Sequence, residues 1–249
     1  MPRLSAILIA RNEERDLPAC LESLRGVADE IVLVDSHSTD RTRDIARAHG
    51  ARVVERDFAG FGPQKQFALE QATGDWVLNI DADERLTPAL AEDIRRALAS
   101  GPAVNGYELP FHVFFLGRRL RFGGCFREFH LRLFRRDKAH YAGAEIHEGI
   151  SVPRPWGRLA HAVRHESYRN FQEYLEKCAR YTGLIARKKY AEGRRFAFWQ
   201  HLRLPWEFAV RYVFKGGFLD GNAGLIYAVL SSYYAWLKHV RLLDGGDNA

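Results

Sequence analysis

Four short strand-like runs in the first third of the chain constrain its fold most strongly. They span residues 4–10, 30–34, 52–55 and 76–80, and polar residues follow each of them. The first run is almost continuously apolar, as is typical of a parallel strand buried on both sides, and the second is rich in β-branched residues. Because helix signals separate these runs, the pattern predicts an α/β fold with a mostly parallel, doubly wound sheet.

The helix signals lie at the polar ends of these runs. Asn12 is the predicted N-cap of a first helix, and Thr39 or Asp40 of a second. Residues 63–72 read as a third helix. Thr87, followed by a proline, is the predicted cap of a fourth.

The pattern changes at about residue 106, where shorter alternating runs predict a mixed or antiparallel extension of the sheet. The last third has helical spacing, with a helix expected from Pro205 and the most apolar stretch at residues 223–240. We therefore predict an α/β domain over residues 1–168 and a C-terminal helical region over residues 169–249.

Polar side chains follow three of the predicted strands where each strand ends. These are Asn12, Asp35, and the pair Asp81 and Asp83. In open α/β sheets, ligands bind beyond the carboxyl ends of the strands. We therefore expect these side chains to surround a single ligand site.

Asp81 and Asp83 occupy alternate positions at a strand end, so that both carboxylates can approach one ion. Hard oxygen ligands suit Mg²⁺ or Mn²⁺, with a substrate phosphate completing the shell. The alternative is a solvated acidic turn that caps the following helix. The buried strand before the pair favours the metal interpretation.

Asp35 has two interpretations. Its carboxylate can accept a hydrogen bond from a base N–H or a ribose hydroxyl, or it can stabilise the turn before the next helix. The spacing alone leaves both open.

The net charge of +6 points to an anionic partner, because Lys and Arg crowd residues 118–138 and 187–195. Arg132 is a candidate phosphate ligand, since guanidinium groups bind phosphate in a bidentate manner. No known nucleic-acid-binding motif accompanies these arginines, so we expect no nucleic-acid partner. The three cysteines are widely spaced, which favours a reducing, cytoplasmic compartment.

The C-terminal region has residue types that are common at membrane surfaces. Trp206, Tyr212, Tyr233, Tyr234 and Trp236 accompany several lysines and arginines. Its most apolar stretch is shorter than the roughly 20 residues that span a bilayer. We predict helices lying on an anionic membrane surface. The alternative is a helix buried against the domain or in an oligomer interface.

Three segments together resemble the inverting glycosyltransferases of family 2, whose catalytic domain has the GT-A fold. They are Ile-Ala-Arg-Asn-Glu-Glu at 9–14, Val-Asp-Ser-His-Ser-Thr-Asp at 34–40 and Asp-Ala-Asp at 81–83. Later segments resemble the small bacterial branch that includes the lipopolysaccharide inner-core β-1,4-glucosyltransferases, which act on heptose. Those segments are 147–148, 165–168, 177–182 and 217–221.

The resemblance implies roles for individual residues. Asp35 would contact the uracil or ribose of a UDP-sugar, Asp81 the ribose or the water shell of the metal, and Asp83 the metal itself. Lys65, otherwise a solvated helix lysine, lies where the family has a basic residue near the nucleotide. His165 is a further candidate ligand of the metal or diphosphate. The strand end that would line the nucleotide pocket contributes Ala10, Asn12 and Glu13.

An inverting transfer needs a base that takes the proton of the acceptor hydroxyl. The resemblance makes Glu148 the candidate base, with Glu145 as the second choice, and His147 could orient Glu148 or simply pack. The family more often has an acidic pair where this chain has His147 and Glu148.

The implied activity is metal-dependent transfer of a hexose, with glucose expected, from a UDP-sugar to heptose of the lipopolysaccharide inner core. The implied place is the cytoplasmic face of the inner membrane. One alternative is another lipid-linked or polysaccharide acceptor, and a second is a non-catalytic, membrane-docked protein that binds sugar nucleotides. A sugar-phosphate nucleotidyltransferase is disfavoured, because no glycine-rich loop ending in arginine follows the first strand.

Overall fold

A computed structural model describes residues 2–101, 103–125, 128–141, 149–168 and 170–244. The chain divides into two compact units. The first comprises Met1–Phe111 and Arg127–His165, and the second comprises His112–Phe126 and Glu166–Ala249. Two of the three points at which the chain passes from one unit to the other lie within strands β6 and β12.

The strands are β1 (Leu4–Ala10), β2 (Glu30–Asp35), β3 (Arg52–Glu55), β4 (Trp76–Asn79), β5 (Glu84–Leu86), β6 (Gly106–Phe115), β7 (Arg118–Arg119), β8 (Glu128–Arg135), β9 (His140–Tyr141), β10 (Ile150–Ser151), β11 (Trp156–Arg158) and β12 (Val163–Tyr168). The helices of the first unit are α1 (Leu17–Leu24), α2 (Thr42–Ala48), α3 (Phe61–Gln71) and α4 (Pro88–Ala99).

The main sheet has the order β3-β2-β1-β4-β8-β6-β12-β5. Its first four strands are mutually parallel, whereas β8 runs antiparallel to both β4 and β6. The predicted parallel sheet with an antiparallel extension is therefore confirmed.

Helices cover both faces of the parallel half, as a doubly wound sheet requires. Leu4 and Leu8 of β1 belong to a buried cluster with residues of α1 and α4. Ile7, which points to the opposite face because strand side chains alternate, belongs to a second cluster with Ala68 of α3. Since both faces of β1 are covered, its sequence is apolar without alternation.

The helix starts differ in part from the predictions. Thr87 caps α4 as expected, accepting a hydrogen bond from the amide of Leu90 at 3.2 Å. Asn12 does not cap α1, whose N-cap position is Asp16. Asn12 has φ of 57° and its side chain instead accepts from the amide of Thr39 at 2.8 Å. The loop between β1 and α1 is longer than predicted, because its polar groups bond to the loop that follows β2.

Helix α2 begins at Thr42, later than predicted. Its N-cap position is Arg41, whose side chain makes no capping hydrogen bond, so neither Thr39 nor Asp40 is the cap. The carboxylate of Asp40 nevertheless accepts from the amide of Thr42 at 3.0 Å, which satisfies one free N–H of the first turn.

The second unit is mainly helical, as predicted for the C-terminal region. It contains α5 (Phe171–Ala191), α6 (Arg203–Phe208) and α7 (Gly221–Val240). Helix α6 begins two residues before Pro205 and continues as a π-helical turn, Ala209–Phe214. Short 3₁₀ segments lie at Phe198–Leu202, Gly217–Asp220 and Arg241–Asp244. Within the described ranges, no helix combines the length and apolar character needed to cross a bilayer.

Candidate active site

The Asp81–Asp83 turn follows β4 at the carboxyl end of the parallel strands. The amide of Asp81 donates to the carboxylate of Glu84 at 3.0 Å, and the amide of Glu84 donates to the carbonyl of Asp81 at 3.0 Å. These two bonds fix the direction of the turn. Because Thr87 caps α4, the alternative of an acidic turn that caps the next helix does not hold.

Two cations hold the carboxylate of Asp81. Lys65 Nζ lies 3.2 Å from Oδ1, and Arg132 Nη2 lies 3.0 Å from Oδ2. Burial would raise the pKa of Asp81, but the charges of Lys65 and Arg132 outweigh it and lower the pKa well below its usual range. Lys65 is buried, which excludes the alternative of a solvated helix lysine.

Arg132 reaches this turn because of strand register. Leu133 of β8 pairs with Leu78 of β4, so the preceding residue of β8 lies beside the end of β4. Arg132 Nη2 also lies 2.7 Å from the carboxylate of Glu84, which is only 2% exposed. Burial, together with the negative charge of Asp81, raises the pKa of Glu84 to about 7 despite the opposing charge of Arg132.

Asp83 faces a different partner from Asp81. Its Oδ2 lies 3.5 Å from His165 Nε2, and the side chain is 22% exposed. The antiparallel pairing of His165 in β12 with Glu84 in β5 positions the imidazole. Burial would lower the pKa of His165, but the hydrogen bond to Asp83 outweighs it and raises the pKa.

The chemistry of these side chains fits a divalent cation. Asp83 offers a hard oxygen ligand and His165 an imidazole nitrogen, a combination that Mn²⁺ accepts readily. Among the described residues, no group of three or more His, Cys, Asp or Glu side chains is assembled around a common point. Two such protein ligands would leave the remaining positions for a diphosphate and water.

Asp35 is fully buried at the end of β2. Its carboxylate accepts from the amide of Ser38 at 2.8 Å and from the Ser38 hydroxyl at 2.5 Å, and Arg43 Nε lies 3.9 Å away. These are the contacts of the turn interpretation. A contact with a base or ribose stays a prediction.

The loop after β1 is tied to the loop after β2. The carbonyl of Ala10 accepts from the amide of Ser36 at 2.9 Å, and the amide of Asn12 donates to the Ser38 hydroxyl at 2.9 Å. The amide of Glu13 donates to the hydroxyl of Thr42 at 2.7 Å. Ala10, Asn12 and Glu13, which are predicted to line the nucleotide pocket, are thus all hydrogen-bonded to residues 36–42. Their contact with a nucleotide stays a prediction.

Two structural roles at the site were not foreseen. Glu84 joins Arg132 to the backbone of the turn, and the ring of Phe111 lies 5.4 Å from the Arg132 guanidinium. The phenylalanine gave no sequence signal, because only strand pairing brings β6 to this place. The predicted base Glu148, its alternative Glu145, and His147 lie outside the described residues.

Comparisons with known proteins agree with the resemblance. The sequence profile of Glycosyl transferase family 2 matches residues 5–201. The lipopolysaccharide core biosynthesis glycosyltransferase LpsC of Rhizobium meliloti is 33% identical over 95% of this chain and 93% of its own length. An uncharacterised glycosyltransferase of Rickettsia typhi is 25% identical over 98% of this chain and 88% of its own length.

A solved structure is also similar over part of the chain. It is the glucosyl-3-phosphoglycerate synthase from Mycobacterium tuberculosis in complex with Mn²⁺, UDP and glucosyl-3-phosphoglycerate, 29% identical with a TM-score of 0.37. The match covers 45% of this chain and 44% of that chain, so it spans less than half of each. The family profile covers most of the present chain, which is therefore a glycosyltransferase and belongs to glycosyl transferase family 2.

Proposed function

We propose that the protein transfers a hexose, glucose in the first instance, from a UDP-sugar to a heptose of the lipopolysaccharide core, with inversion and with Mg²⁺ or Mn²⁺. The observation that carries this proposal is that the two carboxylates of the Asp81–Asp83 turn have different partners. Two cations hold Asp81, whereas Asp83 lies beside an imidazole at the carboxyl end of the sheet. Similarity to LpsC supports a lipopolysaccharide core acceptor.

In this proposal Asp83, with His165, holds the metal ion, and Asp81 orients the ribose or the water shell of the ion. The bound metal would supply positive charge that stabilises the departing diphosphate. Lys65 and Arg132 keep Asp81 ionised and rigid, so that it can accept hydrogen bonds from the nucleotide without moving. The nucleoside side of the pocket would be formed by Asp35, Ala10, Asn12 and Glu13.

The proposed reaction is a single displacement at the anomeric carbon. The acceptor hydroxyl loses its proton to the base as its oxygen forms the new glycosidic bond. The bond from the anomeric carbon to the diphosphate oxygen breaks, and UDP leaves with the electron pair. Attack and departure on opposite faces of the sugar invert the anomeric configuration.

The proposal is tested by measuring UDP release from UDP-glucose and other UDP-sugars, with lipid A-core that ends in heptose as acceptor. We expect release that needs both the acceptor and Mn²⁺ or Mg²⁺ and that stops with EDTA. UDP-glucose binding without turnover would favour the non-catalytic alternative. Turnover only with a different lipid-linked or polysaccharide acceptor would replace the heptose assignment.

Glu148 remains our proposed base, on the strength of the family resemblance. Glu148→Gln should lower the transfer rate by about 100-fold, at the lower end of the usual contribution of a general base, because an amide cannot take the proton. Calorimetric affinity for UDP-glucose should be unchanged. Glu145→Gln is the matched comparison, and a larger loss in that variant would transfer the role to Glu145.

A further inference from the structure

The second unit exposes many large apolar side chains within one segment, residues 198–219. Phe198 is 85% exposed and Phe214 is 73% exposed, and the residues between them include further exposed aromatic and aliphatic side chains. We call this set the apolar stripe: Phe198, Trp199, Leu202, Trp206, Val213, Phe214, Phe218 and Leu219. Contiguous exposed apolar patches of this kind mark interaction sites.

Helical geometry aligns members of the apolar stripe. Leu202 and Trp206 are four residues apart along the 3₁₀ and α-helical segments, so they share a face. The rings of Trp206, in α6, and of Phe214, at the end of the π-helical turn, lie 6.3 Å apart. In contrast, much of α7 packs inward, with Ala223 and Leu230 in the buried cluster of this unit.

The segment around the apolar stripe is strongly basic. Residues 187–215 contain eight lysines and arginines and two glutamates. The resulting excess of six positive charges equals the net charge of +6 of the whole chain. The two glutamates are already engaged, since Glu192 lies 3.4 Å from Arg194 and Glu207 lies 3.5 Å from Arg211. The remaining positive charge is uncompensated within the segment.

The positive charges of Lys189, Arg203 and Lys238 all act on the imidazole of His239, and we call these four residues the cation cluster. Lys189 Nζ lies 3.4 Å from His239 Nε2, and both Arg203 Nε and His239 Nδ1 are buried without a hydrogen-bond partner. Burial, together with the neighbouring positive charges, lowers the pKa of Lys189 to about 8 and that of His239 to about 4. In the part of the chain that the structure describes, no carboxylate lies within 4 Å of Lys189, Arg203 or Lys238.

The cation cluster and the apolar stripe lie side by side. Arg203 directly follows Leu202 of the stripe. The ring of His201 lies 5.4 Å from that of Phe198, and His201 Nδ1 accepts from Trp236 Nε1 at 3.2 Å. Trp236 belongs to the same turn of α7 as Lys238 and His239. An anion bound at the cluster would therefore lie next to exposed aromatic side chains.

We propose that the apolar stripe and the cation cluster together dock the second unit on an anionic phospholipid leaflet. Aromatic side chains partition into the region between lipid headgroups and acyl chains, and lipid phosphate supplies an anionic partner for the half-buried Lys189, Arg203 and Lys238. Charge complementarity favours this occupant over a second copy of the chain, which would bring a like-charged surface. The proposal goes beyond the glycosyl transfer proposed above and does not depend on it.

The test is flotation of the full-length protein with vesicles of phosphatidylcholine alone or mixed with phosphatidylglycerol in equal parts. We expect binding to the anionic vesicles, weakened by salt, and little binding to the neutral ones. Combining Trp199→Ser with Phe214→Ser should weaken binding by at least about tenfold, because serine gains nothing comparable to an aromatic ring from leaving water. Phe58→Ser, at a partly exposed aromatic of the first unit, is the matched control and should bind like the wild type.

The cation cluster is tested by combining Lys189→Gln with Lys238→Gln. This variant should bind anionic vesicles several-fold more weakly, whereas Arg25→Gln with Arg96→Gln, at exposed arginines of the first unit, should not. Thermal melting shows that each variant is folded. Wild-type vesicle binding by either test variant would overturn the proposal, as would a stripe-dependent dimer in sedimentation equilibrium without lipid binding.

Discussion

Asp83→Ala is expected to lower the rate of UDP release with donor and acceptor by roughly 1000-fold, which corresponds to about 4 kcal/mol of transition-state stabilisation. Asp83 faces His165, with its Oδ2 3.5 Å from His165 Nε2. Its loss would remove the hard oxygen ligand from the proposed metal site, and a metal contributes several kcal/mol when charge develops on a leaving group.

Metal binding by Asp83→Ala can be measured independently of its activity. Titration of Mn²⁺ in the presence of UDP, followed by electron paramagnetic resonance, should show markedly weaker metal binding to Asp83→Ala than to the wild type. Asp44→Ala is the matched control, because that side chain is 81% exposed on α2 and should change neither quantity. An Asp83→Ala enzyme with wild-type metal affinity and turnover would remove Asp83 from the metal site.

The outline of this site could be predicted because its main residues follow strands that are recognisable locally. Four strand-like runs give the parallel half of the sheet, and the carboxyl ends of parallel strands meet at one edge. Asp81 and Asp83 are therefore found without any knowledge of tertiary contacts. Their different partners could not be predicted, since Lys65 and Arg132 reach Asp81 only after α3 and β8 pack beside β4.

Glu84 shows why the remainder of the site cannot be predicted from the sequence. It lies in a run of acidic residues that reads equally well as a solvated turn. Its burial depends on Arg132, 48 residues further along the chain, and on the pairing of β5 with β12. Similarly, Asn12 is a good helix cap by residue type, but its side chain bonds to Thr39 in a loop that follows a different strand.

Arg132→Met is expected to destabilise the protein by about 3–5 kcal/mol, the usual effect of removing one partner from a buried ion pair. The Arg132 side chain is 14% exposed and contacts both Glu84 and Asp81, whereas methionine fills similar space without charge. Asp81 would keep Lys65 at 3.2 Å, so most of the effect should come from Glu84. Urea denaturation followed by circular dichroism measures the change, with EDTA present to exclude metal effects.

The destabilisation should depend on pH in a defined direction. The pKa of Glu84 in the folded wild type is already raised to about 7 from an ordinary value of 4.5, so the folded state holds a proton that the unfolded state releases. The stabilisation that this raised pKa gives the folded state is therefore lost as the pH rises from 4.5 to about 7. Removing Arg132 removes a charge that lowers this pKa, so the deficit of Arg132→Met should be larger at pH 8 than at pH 5.

Two further variants separate an unpaired buried charge from simple loss of packing. Arg25→Met removes a 74% exposed arginine whose partner Glu22 lies 3.3 Å away, and should cost less than about 1 kcal/mol. Adding Glu84→Gln to Arg132→Met removes the stranded carboxylate, so it should recover stability at pH 8 and abolish the extra pH dependence. If Arg132→Met destabilised the protein no more than Arg25→Met at every pH tested, the ion pairs of Arg132 would not hold the turn. The rigidity of Asp81 would then need another cause.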